Sequence, residues 1–257
     1  MISKLFNEQR PLMVAGVISF GCFIATLILS LADNTQILGT NRWIKPMKFY
    51  ISIAIFVWTI AVLLQYLPNR ERFSRVTSWA MIIIFAVEMA AVTGQAIRGT
   101  TSHFNIGNPI DAAIFALMGT AIVINTIFVG VLTYHYFRSN IDLPPAIVWG
   151  IRLGLLLFLF GSIQGGYMSS QIGHTVGAAD GGPGLPLVNW STVAGDLRVA
   201  HFLGLHSLQA VPIFALALQR LRISGRTGLT VGFAIVYLAV FMFLLAQALS
   251  GRPFLSL

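Results

Sequence analysis

Residues 75–97 read RVTSWAMIIIFAVEMAAVTGQAI. From Met81 to Val92 every side chain is apolar except Glu88. A run of roughly 20 apolar residues is the length a helix needs to cross a hydrocarbon core. A carboxylate in the middle of such a run is costly and by default functional. This one stretch therefore fixes the solvent of the chain and raises the first question about its chemistry.

Working outward, comparable runs fall near 11–31, 46–67, 110–137, 146–170, 197–219 and 229–250. With 75–97 they predict an all-α, polytopic membrane helical bundle of about seven transmembrane helices, forming a single transmembrane domain over 1–257. Composition agrees. Of the 257 residues 56% are hydrophobic and 9% charged, and the mean hydropathy is +0.82. A soluble domain carries roughly a quarter charged residues, so too few charges exist here to cover a water-facing surface. No polar stretch is long enough to build a separate water-soluble core. Lys4 and Arg10 precede the first run, but it is too long for a signal-peptide core and no small-x-small cleavage site follows. It reads as a retained helix.

Prolines punctuate the runs. Pro11 and Pro46 open helices, where a missing N–H costs nothing. Pro68 closes one, Pro144-Pro145 precede another, and Pro212 lies inside the sixth and is expected to kink it. No internal repeat is visible, so symmetry offers no support for an inverted-repeat transporter.

Cations set the orientation. Lys4, Arg10, Arg70, Arg72, Arg75, Arg138, Arg220, Arg222 and Arg226 fall on one side of the spans, and Arg42, Lys45, Lys48, Arg98, Arg198 and Arg252 on the other. The first group is larger, which places the N-terminus in the cytoplasm and the C-terminus outside, in a plasma or inner membrane. The net charge of +8 then reflects headgroup-facing Lys and Arg, not nucleic-acid binding, since no basic run is interleaved with aromatics. Cys22 is the only cysteine, so neither an internal disulfide nor a Cys-based metal site is possible.

This topology distributes polarity unevenly. His103, His174, His201 and His206 lie toward the outer side, and only His135 toward the inner. Gln95, Gln164 and Gln247 also fall in the outer half, and Glu88 and Gln209 lie near the midplane. The inner halves are oily apart from Asn125, Thr126 and Arg152. A polar cavity opening outward is expected. Glu88 and Asp111 are its candidate acid–base residues.

Arg42, Lys45 and Lys48 gather at the start of the second helix, a position wrong for cations both by side and by helix dipole. An anion there would reverse the sign: a substrate carboxylate, a haem propionate or a lipid phosphate. Arg198, in the first turn of the sixth helix, is misplaced in the same sense and is expected to pair with Asp111 or Asp180. With Gln164 and Gln209 these cations are the candidate cofactor-binding residues. The alternative is plain snorkelling to phosphates.

His201 and His206 are five residues apart, roughly 140° around a helix, so they cannot chelate one ion as an i, i+4 pair does. Each needs partners from elsewhere, and His103 and His174 are the available imidazoles. Haem b takes two axial histidines, or one with an open position; zinc, copper or iron sites use imidazole with carboxylates. His103, His201, His206 and His174 are thus the candidate ligands of a haem or transition metal. The long segment 171–196, rich in turn residues and carrying Leu185, Leu187 and Trp190, is expected to fold back as a lid, with Asp196 as the N-cap of the sixth helix.

Retinal chemistry is excluded, because the only lysines are Lys4, Lys45 and Lys48 and none lies deep in a span. Phosphate-binding and nucleophile-elbow motifs are absent from usable contexts. Two functions remain: a haem- or metal-dependent membrane oxidoreductase, or a transporter or small-molecule or lipid-binding protein using the same cavity without metal.

Overall fold

The computed structural model describes residues 2–256, with side chains from residue 5 onward; the Lys4 side chain counted above lies outside the described set. Among the described residues eight helices follow in order: α1 (Ile2–Glu8), α2 (Arg10–Ala32), α3 (Ile44–Gln65), α4 (Glu71–Ile97), α5 (Pro109–Arg138), α6 (Pro145–Ser170), α7 (Leu197–Arg220) and α8 (Arg226–Leu249). Two short antiparallel ribbons lie between them: β1 (Gln36–Ile37) with β2 (Thr40–Asn41), and β3 (Thr175–Val176) with β4 (Gly195–Asp196).

Helices α2 to α8 are each long and apolar enough to span a bilayer, and they coincide with the seven runs read from the sequence. In hydrocarbon every backbone group must be bonded within its own segment, which a helix achieves. Large apolar side chains stand exposed along the spans, among them Ile28, Ile163 and Phe243, as a lipid-facing surface requires. The chain is an integral membrane protein. Two details differ from the sequence reading. The short α1 precedes the first span, and α3 begins at Ile44, so Pro46 sits inside the first turn, where its missing N–H is still harmless. Helix α7 continues through Pro212.

Packing divides the chain into two compact units, Met1–Phe128 and Val129–Leu257, with α5 contributing to both. In the first, α2 lies along α3, and α3 and α2 pack on α4. Trp58 of α3 fills the place of a side chain at Gly16 of α2 and donates its indole N–H to the Met13 carbonyl at 3.2 Å. Phe56 meets Phe85 edge-on at 5.3 Å.

In the second unit, α6 and α7 form the most extensive helix pair and α8 packs on both. Small residues permit this approach. Gly150, Gly154, Gly161 and Gly165 line one face of α6 and meet Ala215, Ser207, Gly204 and His201 of the antiparallel α7. A methyl group at Gly161 would lie 2.8 Å from the Gly204 backbone. Ser207 reinforces the seam by donating to the Gly154 carbonyl at 2.9 Å. Close backbone approach through small residues, with a hydroxyl bridging, is how helices associate where lipid removes the hydrophobic drive.

Gly161→Leu should therefore destabilise the protein by about 1–3 kcal/mol, as overpacking does, whereas Gly166→Ala, with open space at its Cβ, should leave stability unchanged. Thermal unfolding in detergent compares the two; equal midpoints would show that the α6–α7 seam does not limit stability.

Candidate acid–base site and its surroundings

Helix α4 buries one face, Thr77, Met81, Ile84, Glu88, Val92 and Gln95. Glu88 is 1% exposed. Its Oε1 stands 3.7 Å from Nε2 of His103, an ion-pair distance too long for a hydrogen bond. Its Oε2 is buried and has no hydrogen-bond partner. Lys45, in the first turn of α3, has its Nζ 5.9 Å from the Phe49 ring centre. His103 sits among the rings of Phe49, Phe104 and Phe115, at 5.4, 6.1 and 6.5 Å. Its Nδ1 is 3.1 Å from the Ser102 hydroxyl, and its side chain is 25% exposed. The buried carboxylate thus connects to the surface through one imidazole. Of the candidate residues, Glu88 and His103 stand beside each other, and the Phe49 ring neighbours both His103 and Lys45.

The loop 98–108 that carries His103 is clasped at its base by Asp111. One carboxylate oxygen accepts from Gln95 at 2.8 Å and Arg98 at 2.7 Å, the other from Asn108 at 2.6 Å. The Asp111 N–H returns a bond to the Asn108 side chain at 3.0 Å. Both oxygens of this expected acid–base residue are engaged by groups of the loop and the end of α4. Its cation is Arg98, not Arg198.

Arg42 is likewise occupied. Its guanidinium pairs with Asp33, with Nε 2.6 Å from Oδ2, and reaches the Ile97 carbonyl at the C-terminus of α4 at 3.4 Å, where a cation is favourable. The Trp43 indole also donates to Asp33, at 2.8 Å. Hydrogen bonds from Thr35 and Trp43, and from Arg42, hold the Asp33 carboxyl well below the usual range. Of the three cations of the expected anion site, Arg42 is paired with Asp33, Lys45 lies over the Phe49 ring, and Lys48 lies one turn further along α3.

In the second unit the segment 171–196 is anchored rather than free. Asp196 caps α7 as expected, accepting from the Arg198 N–H at 3.0 Å, and also accepts from Ser191 N–H at 2.8 Å. Arg198 pairs with Asp196, Nη2 to Oδ2 at 2.6 Å, and donates to the Asn189 carbonyl. This corrects the expected pairing with Asp111 or Asp180: the nearer carboxylate, two residues away, wins. His174 lies between Asp180 and Asp196, its Nδ1 3.3 and 3.9 Å from their oxygens. Together with Asn189, Ser191 and Arg198 it lines a cavity of about 20 Å³, room for roughly one water.

His201 packs its ring against Gly165, and its Nδ1–H donates to the Gly161 carbonyl at 2.9 Å. His206 stacks on Phe202 at 4.0 Å and donates Nδ1–H to that residue's carbonyl at 2.8 Å. Gln164 donates to the Leu197 carbonyl at 3.1 Å, leaving its buried Oε1 without a partner. Gln209 is half-buried on α7. Among the described residues no group of three or more His, Cys, Asp or Glu is placed to hold a metal ion. Asp33, Ser102, Phe104, Phe115 and Asn108 were not singled out by sequence. Only Asp33 carried a signal, as a carboxylate at a helix end shortly before misplaced cations.

No family model, curated protein or solved structure matches the chain.

Burial pushes the Asp196 carboxyl up, but the bonds and charge of Arg198, the Ser191 N–H and the nearby His174 outweigh it and hold it below its ordinary range. A depressed carboxyl stabilises the fold above its unfolded value and loses that contribution as pH falls through the folded one. Asp196→Ala should cost about 2–3 kcal/mol, below the range for fully buried pairs because Arg198 keeps access to water. Hydrogen exchange of 171–196 should accelerate in this variant at neutral pH and in the wild type only in acid; unchanged exchange in the variant would refute the anchor.

Proposed function

We propose that this protein is a membrane-embedded enzyme of the oxidoreductase type whose acid–base centre is Glu88, exchanging protons through His103 from one side of the bilayer. One observation carries the reading: a carboxylate buried at 1% exposure with an unpartnered oxygen beside an imidazole. An ionised carboxylate in that setting costs several kcal/mol unless it is paired or takes up a proton. Glu88 has the means for both, with His103 and Lys45 as counter-charges and His103 as the proton's way out.

The buried face of α4 favours one-sided access. Below Glu88 come Ile84 and Met81, and the next residues with polar side chains on that face are Ser78 and Thr77, eleven positions or about 16 Å away at the helix end of that range. A proton on Glu88 has a short route to the loop 98–108 and a dry one in the other direction. Transport needs access from both faces, so a one-sided centre favours the enzyme over the carrier. With the orientation drawn from the cations, the site faces outward from a plasma or inner membrane.

Difference infrared spectroscopy of the protein in lipid tests this. A carboxyl C=O band should appear on acidification and vanish in Glu88→Gln, and His103→Gln should slow deuterium exchange of that band by roughly tenfold or more. A pH-difference spectrum identical in wild type and Glu88→Gln would remove Glu88 from any proton chemistry.

A second reading, a resident haem b or a transition metal (Zn, Cu or Fe), is favoured by a different observation. His201 and His206 both spend Nδ1–H on backbone carbonyls, which leaves the Nε2 lone pair free, the arrangement that orients metal-bound imidazoles. In this reading purified protein shows a Soret band or near-stoichiometric metal, lost in His206→Ala and kept in His135→Ala. Colourless protein with no bound metal would discard it.

A further inference from the structure

We propose that Arg152 holds the phosphate of an anionic phospholipid at the end of the molecule where α5 turns into α6.

Arg152 is the eighth residue of α6, which starts at Pro145, so it lies about 10 Å along a membrane-spanning helix. An arginine placed there must be paired, reach the interface or serve a function. The fold brings this one to the interface. Its Nε–H donates to the Tyr136 carbonyl at 2.9 Å, two residues before α5 ends at Arg138, where a cation complements the helix dipole. The guanidinium carbon lies 5.4 Å from the ring centres of both Phe137 and Trp149, and those two rings meet at 84°. One hydrogen bond and two aromatic faces thus fix the orientation of the group.

The edge they leave unspent is the binding edge. Among the described residues neither Nη nitrogen of Arg152 has a hydrogen-bond or ion-pair partner. Asp142, the carboxylate of the α5–α6 connection, makes no ion pair with it. The two parallel N–H groups of such an edge match two oxygens of a phosphate. Arg152 is half-buried, and Phe137 and Trp149 are 40% and 37% exposed, so the edge opens at the protein surface. Aromatic residues at the end of a span mark the headgroup level.

Charge selects an anionic lipid. Helices α6 and α7 are antiparallel, so the start of α6 and the end of α7 share one end of this unit. Arg138, Arg152, Arg220, Arg222 and Arg226 gather there against Asp142 alone, a field that attracts acidic headgroups. Tyr134, 59% exposed, and Gly130, with open space at its Cβ position, continue the face of Phe137 along α5 at three- and four-residue spacing. That face gives an acyl chain a track away from the phosphate.

Thermal unfolding of the full-length protein in uncharged detergent, titrated with dioleoyl phosphatidylglycerol, tests the site. Salt at about 0.5 M screens diffuse attraction between exposed charges. The wild-type midpoint should rise and saturate, as a ligand bound to the folded state requires. Arg152→Gln should need at least about tenfold more lipid for the same rise, whereas Arg220→Gln should titrate as wild type. Arg152→Lys keeps the charge but loses the paired N–H edge and should fall between; should the Gln variant not fold, the Lys variant carries the comparison. Wild-type curves for both Arg152 variants overturn the proposal, as does the lack of a saturable rise in wild type. An equal loss in Arg220→Gln would show diffuse attraction in place of a site. The same rise with inorganic phosphate would make it a free-anion site, and the same rise with dioleoyl phosphatidylcholine would remove the selection for anionic lipid; either result overturns the assignment.

Discussion

A carboxylate held in hydrocarbon is the constraint around which the first half of the molecule is arranged. Glu88 is about ten residues in from the end of α4 at Ile97, too deep for its own side chain to reach headgroups. Its partners must come to it. His103 does so by the return of the loop 98–108. That return is only possible because Asp111 fastens both ends of the loop, drawing on Arg98 at its start and Asn108 at its end. Loss of any one of these bonds would loosen the loop that brings His103 to the buried Glu88 carboxyl.

The second half answers a different demand. Lipid offers no hydrophobic reward for bringing two helices together, so contact distance and hydrogen bonding must do it. Glycines on α6 let α7 approach until Ser207 can bond the Gly154 carbonyl. The same seam accounts for His201, whose imidazole occupies the space opposite Gly165 and bonds the Gly161 carbonyl. A polar side chain thereby becomes part of helix packing while retaining one ring nitrogen for other use.

Three arginines at the ends of spans share a rule. Arg42 with Asp33, Arg98 with Asp111, and Arg198 with Asp196 are each pairs from short stretches of chain, joined where a span meets its connection. Each pair orders a turn: the β1–β2 ribbon, the loop 98–108, or the segment leading into α7. Arginines that look misplaced against the helix dipole are placed by a neighbouring carboxylate. Local pairing of this kind needs little loop closure and so wins over partners that are distant in sequence.

The spans were legible in the sequence, because a stretch such as 75–97 can hide its backbone polarity only as a helix, and hydropathy records that directly. The burial of Glu88 within its span and the capping role of Asp196 were legible for the same reason: depth and turn chemistry are local properties. Which groups meet was not. Nothing in the order of residues states that His103 faces Glu88, that Arg42 belongs to Asp33, or that Gly165 makes room for an imidazole. Those facts depend on helix rotation and loop return, which are set by side-chain volume and ion pairing in three dimensions, and only the tertiary structure decides them.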